Sequence, residues 1–382
     1  MVIPIPCIHS SPEMKATATT DNASHPSSKK WMKTEQSNGN SSEDQKKKMP
    51  PLKVSSFLKT DPWLLVPDGN LLGFFTWVPE HLRIGPWSKA ALPSIILLTS
   101  MIAYHSPMED QFYTEVASYP PARSPYWWYN IFASCFMIGV CMQSVANSSW
   151  AICLSFTLLS WNMNALRHGI HALAPFLSDH HPLLKLNHIL RFPALVSATI
   201  TFVIWNFVLV PALYVMMNTR EKKDNFAIWN TNFRLVQFHC CNMIYATLNT
   251  MVTGNREGVR PPLFDAEDLW YGLAYGLVYS LFYVFVLDRI GVHLYPIFSP
   301  RSKYFPAAWG MAFVLYYSSF LVWNYALAHH WDILNFYYLV AFNLVLVGVG
   351  FAAHYMLSYM KQKRTAIPSS SADADVDADD GK

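Results

Sequence analysis

The sequence predicts an all-α protein, a polytopic bundle of transmembrane helices, and two observations predict it. The 382-residue chain is 52% hydrophobic and 15% aromatic but only 14% charged, where soluble proteins average about 25% charged. Its apolar residues also gather into eight stretches, most of them near the ~20 residues a helix needs to cross ~30 Å of hydrocarbon. Mean hydropathy is only +0.16 because roughly the first 60 residues and the last 20 are polar.

Residues 1–60 are rich in Ser, Lys, Asn and Thr and carry the basic runs Lys29-Lys30 and Lys46-Lys47-Lys48. They hold too little apolar area to fold, so a disordered cytosolic tail is expected. Residues 61–87 mix Trp, Phe, Pro and Gly, as in an interfacial lead-in whose rings sit at headgroup depth. A bundle over 88–360 follows. Its eight expected spans centre on Leu92–Tyr104, Trp128–Ala146, Trp150–Leu173, Pro193–Met216, Phe233–Val252, Leu269–Leu287, Ala307–Leu327 and Phe336–Leu357. The first is the weakest, being short between Pro93 and His105. Residues 361–382 end in an acidic Ala-Asp stretch and read as a second disordered tail.

Arg220, Lys222 and Lys223, then Arg289, Arg301 and Lys303, then Lys361, Lys363 and Arg364 fall on one side of this arrangement. Fewer fall on the other: Arg123, Lys185, Arg191, Arg256 and Arg260. The bias places both termini in the cytosol, at the endoplasmic reticulum or plasma membrane. The start of the chain lacks the pattern of a cleaved secretory signal, so the first span is expected to act as an uncleaved one.

Net charge is only +3 and the cationic residues sit between apolar stretches, which argues against a nucleic-acid partner. Cys135, Cys141, Cys153, Cys240 and Cys241 fall inside apolar stretches, which is no disulfide framework. Membrane lipids are the expected partners, and no cofactor or metal is implied.

A polar side chain in hydrocarbon is costly, so it faces a bundle interior, a partner or a cavity. In the fifth span, His239, Asn242 and Asn249 share one face at about 100° per residue. Inter-helix hydrogen bonding and a reactive site both account for that stripe. The adjacent His239, Cys240 and Cys241 point about 100° apart, which disfavours a shared ion. In the third span, Ser148, Ser155 and Asn162 repeat every seven residues, while Thr157, Ser160, Asn164, His168 and His171 line another face. Such a helix belongs at the centre of the bundle. Ser155 and His239 lie roughly 9–11 Å past the starts of their helices, at a common depth. A hydroxyl becomes nucleophilic when a neighbouring base takes its proton, and imidazole has the basicity for that near pH 7. Asn242 would orient the imidazole or donate to an oxyanion.

From about 127 to 328 the chain resembles the androgen-induced and androgen-dependent family of membrane hydrolases, with their Rolling stone and plant relatives. The resemblance rests on His239-Cys240-Cys241-Asn242, on Pro262, on the aromatic helix Trp270–Tyr279, and on Gly291-Val292-His293-Leu294-Tyr295-Pro296-Ile297-Phe298, in family order. It implies a six-helix threonine hydrolase of fatty-acid esters of hydroxy fatty acids, with a Thr–His catalytic pair. His239 matches the histidine. Ser155, within Leu154-Ser155-Phe156, matches the threonine, with Thr157 as the alternative nucleophile. The chain departs from the family by its N-terminal tail and by an extra helix at each end. On this reading Tyr271, Tyr275 and Tyr279, four residues apart, line the acyl pocket, and packing alone is their other explanation.

Two other classes fit some of these residues. A non-catalytic multi-pass protein with a cell-surface or scaffolding role would use the His239 stripe for packing. A metal-dependent lipid oxidase would use His168 with His171, His180 with His181 and His329 with His330, although their spacings match such boxes poorly.

Overall fold

The computed structural model describes residues 61–66, 68–71, 78–106, 119–148, 150–178, 180–217, 219–255, 257, 261–329 and 336–365. The expected tail over 1–60, most of the acidic tail, and Arg256, Arg260 and His330 lie outside these residues. Among the described residues every regular element is helical.

Among the described residues nine helices carry the architecture: α1 (Ala91–Tyr104), α2 (Pro125–Asn147), α3 (Phe156–Leu173), α4 (Pro182–Val215), α5 (Arg220–Asn230), α6 (233–253), α7 (Ala266–Leu287), α8 (Phe305–His329) and α9 (Phe336–Thr365). Their starts follow from local chemistry. Ser124 caps α2 by accepting from the Trp127 amide at 3.2 Å, with Pro125 at the first helical position, where its missing N–H costs nothing. Ser155 caps α3 and Thr219 caps α5 in the same manner. Asp265 and Asp268 form a reciprocal capping box at the start of α7, placing acid at the positive end of that helix. α9 continues to Thr365, past the end of the bundle expected at residue 360.

Among the described residues five helices are long and apolar enough to cross a membrane: α2, α4, α7, α8 and the Phe336–Lys363 part of α9. The chain is therefore an all-α, multi-pass integral membrane protein. α9 presents Tyr337, Phe342, Leu344, Val345, Val349, Phe351 and Tyr355 outward, all more than half exposed. A row of that kind is a liability in water and ordinary against lipid. Three of the eight expected spans differ. α1 has 14 residues, about 21 Å of rise. α3 and α6 carry the polar interior, and their hydropathy falls accordingly.

α3 is central: Thr157, Ser160, Asn164, Arg167, His168 and His171 are all buried along it. It packs against α2 through Trp161, fully buried, whose indole donates to Met137 O at 2.8 Å. α4, α6 and α8 close another side around Phe192, Leu195, Leu248, Met251 and Tyr316. Gly272 and Gly276, one turn apart on α7, let that helix approach closely. A Cβ at Gly272 would lie 2.6 Å from the Phe192 ring, and one at Gly276 3.0 Å from Tyr316. Small residues at this spacing are a common means of bringing membrane helices together.

At one end, the described parts of the lead-in are tied to the α7–α8 connection by buried charge. Asp61 pairs with Arg289 at 2.5 Å and with Arg301 at 3.0 Å, and Arg301 also pairs with Asp288 at 2.8 Å. The Trp87 indole donates to Asp288 at 3.2 Å, Arg301 donates to Gly85 O, and His293 Nε2–H donates to Gly69 O at 3.1 Å. Gly291 holds a φ of +75° there and backs directly onto Gly69, a conformation and an approach that exclude a side chain.

Candidate functional site

A cavity of about 80 Å³ lies within the bundle, its walls almost wholly apolar and drawn from α3, α4, α7, α8 and the α7–α8 connection. Thr157, Trp205, Tyr279, Tyr283, Tyr295 and Tyr316 are among the residues around it. Its polar feature is the start of α3. The Thr157 hydroxyl faces the Tyr295 phenol at 3.4 Å, and the Ser155 side chain lies close to that phenol. Tyr279 OH donates to Leu154 O at 3.2 Å. Tyr283 OH donates to Tyr295 O at 2.8 Å and accepts from Tyr295 N at 3.2 Å, which fixes the backbone that carries the Tyr295 ring. Burial raises the Tyr295 phenol above its usual value, and the neighbouring hydroxyls of Thr157 and Ser155 offset part of the rise. It is therefore a neutral donor at pH 7.

Ser155 and Thr157 divide their roles. The Ser155 Oγ accepts from the Leu158 amide at 3.1 Å as the cap of α3, whereas Thr157 stands at the cavity wall. His239 sits in a turn of α6 (Gln237–Cys241) wound with wider, π-type bonds. Its Nδ1–H donates to Leu235 O at 3.1 Å, which leaves Nε2 unprotonated, the tautomer of a base. Its ring stacks on Trp205 at 3.9 Å and 12°. Trp205 belongs to a second π-wound turn, Ile204–Leu209 of α4, and the neighbouring Asn206 amide donates to His239 O at 3.2 Å. Two widened turns thus meet face to face, a feature often found at functional sites. His239 reaches the cavity through the Trp205 ring. No hydrogen bond joins it to Ser155 or Thr157 among the described residues.

Asn242 and Asn249 turn elsewhere. Asn242 Nδ2 donates to Ser160 Oγ at 3.0 Å and its Oδ1 accepts from Asn164 at 2.9 Å. Asn249 Oδ1 accepts from Arg167 Nε at 3.0 Å, and its amide nitrogen meets His171 at 2.8 Å. These are inter-helix bonds between α3 and α6, one of the two explanations the stripe allowed. The stripe was drawn at 100° per residue, and the π-wound turns at Gln237–Cys241 and Leu248–Thr253 break that period, so His239 parts from Asn242. The amide of Asn242 is spent on α3 and does not orient the imidazole.

The three tyrosines also separate. Tyr279 lines the cavity. Tyr271 donates to Glu267 at 2.6 Å, and the Tyr275 ring packs on Phe156 at 6.0 Å. The histidine pairs do not converge. His168 bonds Asn130 at 2.6 Å, His171 bonds Asn187 at 2.7 Å, and His181 caps the helix start at Pro182. Among the described residues no three His, Cys, Asp or Glu side chains are grouped to hold a metal. From sequence Tyr295 enters only as part of the Gly291–Phe298 motif, with no site role, and Arg167 is not singled out. Arg167, a cation inside an apolar helix, was itself a signal, whereas Tyr295 reaches α3 only through the fold.

Compared with family models, curated proteins and solved structures, the chain matches none.

Proposed function

We propose that the protein is a membrane-embedded hydrolase of lipid esters, of the kind its resemblance to the androgen-induced family implies. Thr157 is the nucleophile, His239 the base, and Ser155 the cap that holds the start of α3. The observation that carries this reading is the Thr157 hydroxyl beside the Tyr295 phenol at the wall of an apolar cavity between the helices. The threonine attacks the ester carbonyl while its proton passes to imidazole, the Tyr295 phenol donates to the developing oxyanion, and water then releases the acyl group. The alcohol leaves with the proton. His239 comes within reach of Thr157 by turning off Trp205 when substrate enters, since catalytic hydrogen bonds often align only in the substrate complex. A cavity of 80 Å³ accepts an ester group and a short length of chain, and the remaining acyl chain lies between helices. Eight spans with both termini cytosolic, including the short α1 and the polar α3 and α6, complete the arrangement.

A second reading is favoured by one observation: Asn242 and Asn249 are fully engaged in inter-helix bonding. On that reading the protein is a non-catalytic multi-pass membrane protein in a scaffolding role. Labelling of membranes with a fluorophosphonate probe separates the two. Loss of labelling in Thr157→Ala and His239→Ala, with retention in Ser155→Ala at equal abundance, is expected of the hydrolase. Equal labelling in all three overturns it.

A further inference from the structure

The Thr157–Tyr295 pair is one polar point of the cavity, and three more stand around it. Thr201 on α4 and Trp309 and Tyr316 on α8 are among the lining residues, each no more than 6% exposed. The Thr201 hydroxyl, the Trp309 indole nitrogen and the Tyr316 phenol have no hydrogen-bond partner among the described residues. Their neighbours do. Ser197 bonds back to Pro193 O at 2.6 Å and Thr199 to Leu195 O at 2.8 Å, whereas the next hydroxyl on that helix, Thr201, makes no such bond. The indoles of Trp161 and Trp323 donate at 2.8 and 3.0 Å, and the phenols of Tyr279 and Tyr283 donate at 3.2 and 2.8 Å. Buried polar groups without partners are costly and rare, so three around one cavity call for an explanation.

Their positions differ. Trp309 and Tyr316 are two turns apart on α8, about 10.5 Å along its axis. The Trp309 ring packs on Phe298, which packs on Tyr295, so Trp309 stands on the Thr157 side. The tip of Tyr316 lies instead against Gly276 of α7, its hydroxyl 3.1 Å from where a Cβ would be. The groups are alike in chemistry. An indole nitrogen only donates and each hydroxyl can donate, so together they ask for acceptor oxygens. None of the lining residues is an acid or a base. Asp288, the charged side chain that acts on Tyr283, is held by Arg301 and the Trp87 indole. A ligand bearing a charge would find no counter-charge on these walls.

We propose that the cavity takes an uncharged lipid with two acceptor carbonyls, as a diester of glycerol has, one at Tyr295 beside Thr157 and the other received by the unbonded donors of Trp309, Thr201 and Tyr316. The proposal names the substrate class of the hydrolase and rests on that reading for the chemistry, although not for binding. One carbonyl is attacked; the other holds the lipid in register.

The test uses the full chain carrying Thr157→Ala, which prevents turnover, in maltoside micelles with radiolabelled 1,2-dioleoylglycerol as probe. The probe saturates one site per chain. 1-O-Oleyl-2-oleoylglycerol, in which a methylene replaces one carbonyl, competes about threefold to tenfold less well, the share of one net hydrogen bond. Oleoyloxystearate, with one ester and a free carboxylate, also competes less well than the diester. Tyr316→Phe and Thr201→Val each narrow the preference for the diester over the ether, and together they abolish it. Neither lowers the unfolding temperature without ligand, because the hydroxyls removed make no bond. Should the double variant not fold, the comparison of diester with ether still decides. Equal competition by the ether, an unchanged preference in the double variant, or oleoyloxystearate competing as well as the diester overturns the proposal. Selective binding alongside fluorophosphonate labelling that ignores Thr157 and His239 supports the binding site and removes the hydrolase reading alone.

Discussion

Thr157 and Tyr295, 138 residues apart in sequence, meet hydroxyl to hydroxyl at 3.4 Å on the wall of the apolar cavity. The meeting depends on Ser155, because its Oγ sets where the first turn of α3 begins. Replacing a serine cap by alanine costs about 1 kcal/mol, and by glycine only a few tenths. Ser155→Ala is thus expected to destabilise by about 1 kcal/mol and Ser155→Gly by much less, as read by denaturant unfolding in mixed micelles. Equal losses in the two would remove the capping role.

Bonding between α3 and α6 has a measurable size. Asn164 donates to Asn242 at 2.9 Å with both side chains buried. Hydrogen bonds between membrane helices couple by about 0.6 kcal/mol on average and at most about 1.7. A double-mutant cycle of Asn164→Ala and Asn242→Ala is expected to return a coupling in that range. A coupling of zero means that the pair does not hold the two helices.

The close approach of α7 predicts intolerance to a single methyl group. Gly272→Ala would put a carbon 2.6 Å from the fully buried Phe192 ring, and overpacking of this kind costs about 1–3 kcal/mol. Gly310→Ala is the control, since nothing lies within 4 Å of a Cβ there. An alanine at Gly310 is expected to be neutral or slightly stabilising through helix propensity. The thermal unfolding temperatures of the two variants check both statements.

His293 predicts acid sensitivity. Burial first, and then Arg301 and Arg83, bring its pKa down to about 4, while its bond to Gly69 O opposes them. Between about 6.5 and 4 the unfolded chain binds this proton and the folded chain does not. The contribution is therefore complete above about pH 6.5 and falls as the pH drops toward 4, by up to about 1.4 kcal/mol per pH unit. Asp288, 3.9 Å from His293, is raised from its usual range chiefly by burial and acts in the opposite sense. His293→Gln isolates the histidine's share: unfolding temperatures measured from pH 7.5 to 5 should fall less steeply in the variant than in the parent chain.

Helical class, membrane location and the central position of the third span were legible in the sequence, because apolar runs and polar stripes report which faces meet lipid. Ser160, Asn164 and His171 sit inward as their spacing implies. The direction of His239 was not legible, because a π-wound turn leaves no mark in the hydrophobic period. Nor was the separation of Ser155 from Thr157: two residues apart on paper, one is consumed by the backbone and the other is left to the cavity. The motif around Tyr295 was legible but not its role, because its partner lies across the fold, and Arg191 with Asp268 joins helices whose sequences show no complementary pattern.

The tie between the lead-in and the α7–α8 connection also sets an order of assembly. Asp61 and Arg289 are 228 residues apart, and His293 and Gly69 are 224 apart. Such distant contacts form late, since most of the chain must be made and inserted first. The connection that Asp61 and Gly69 brace is the one that carries Tyr295 to Thr157. The cavity wall is thus finished only when the earliest described residues find nearly the last helices, and a chain cut short before Arg301 would insert much of its bundle and never complete the site.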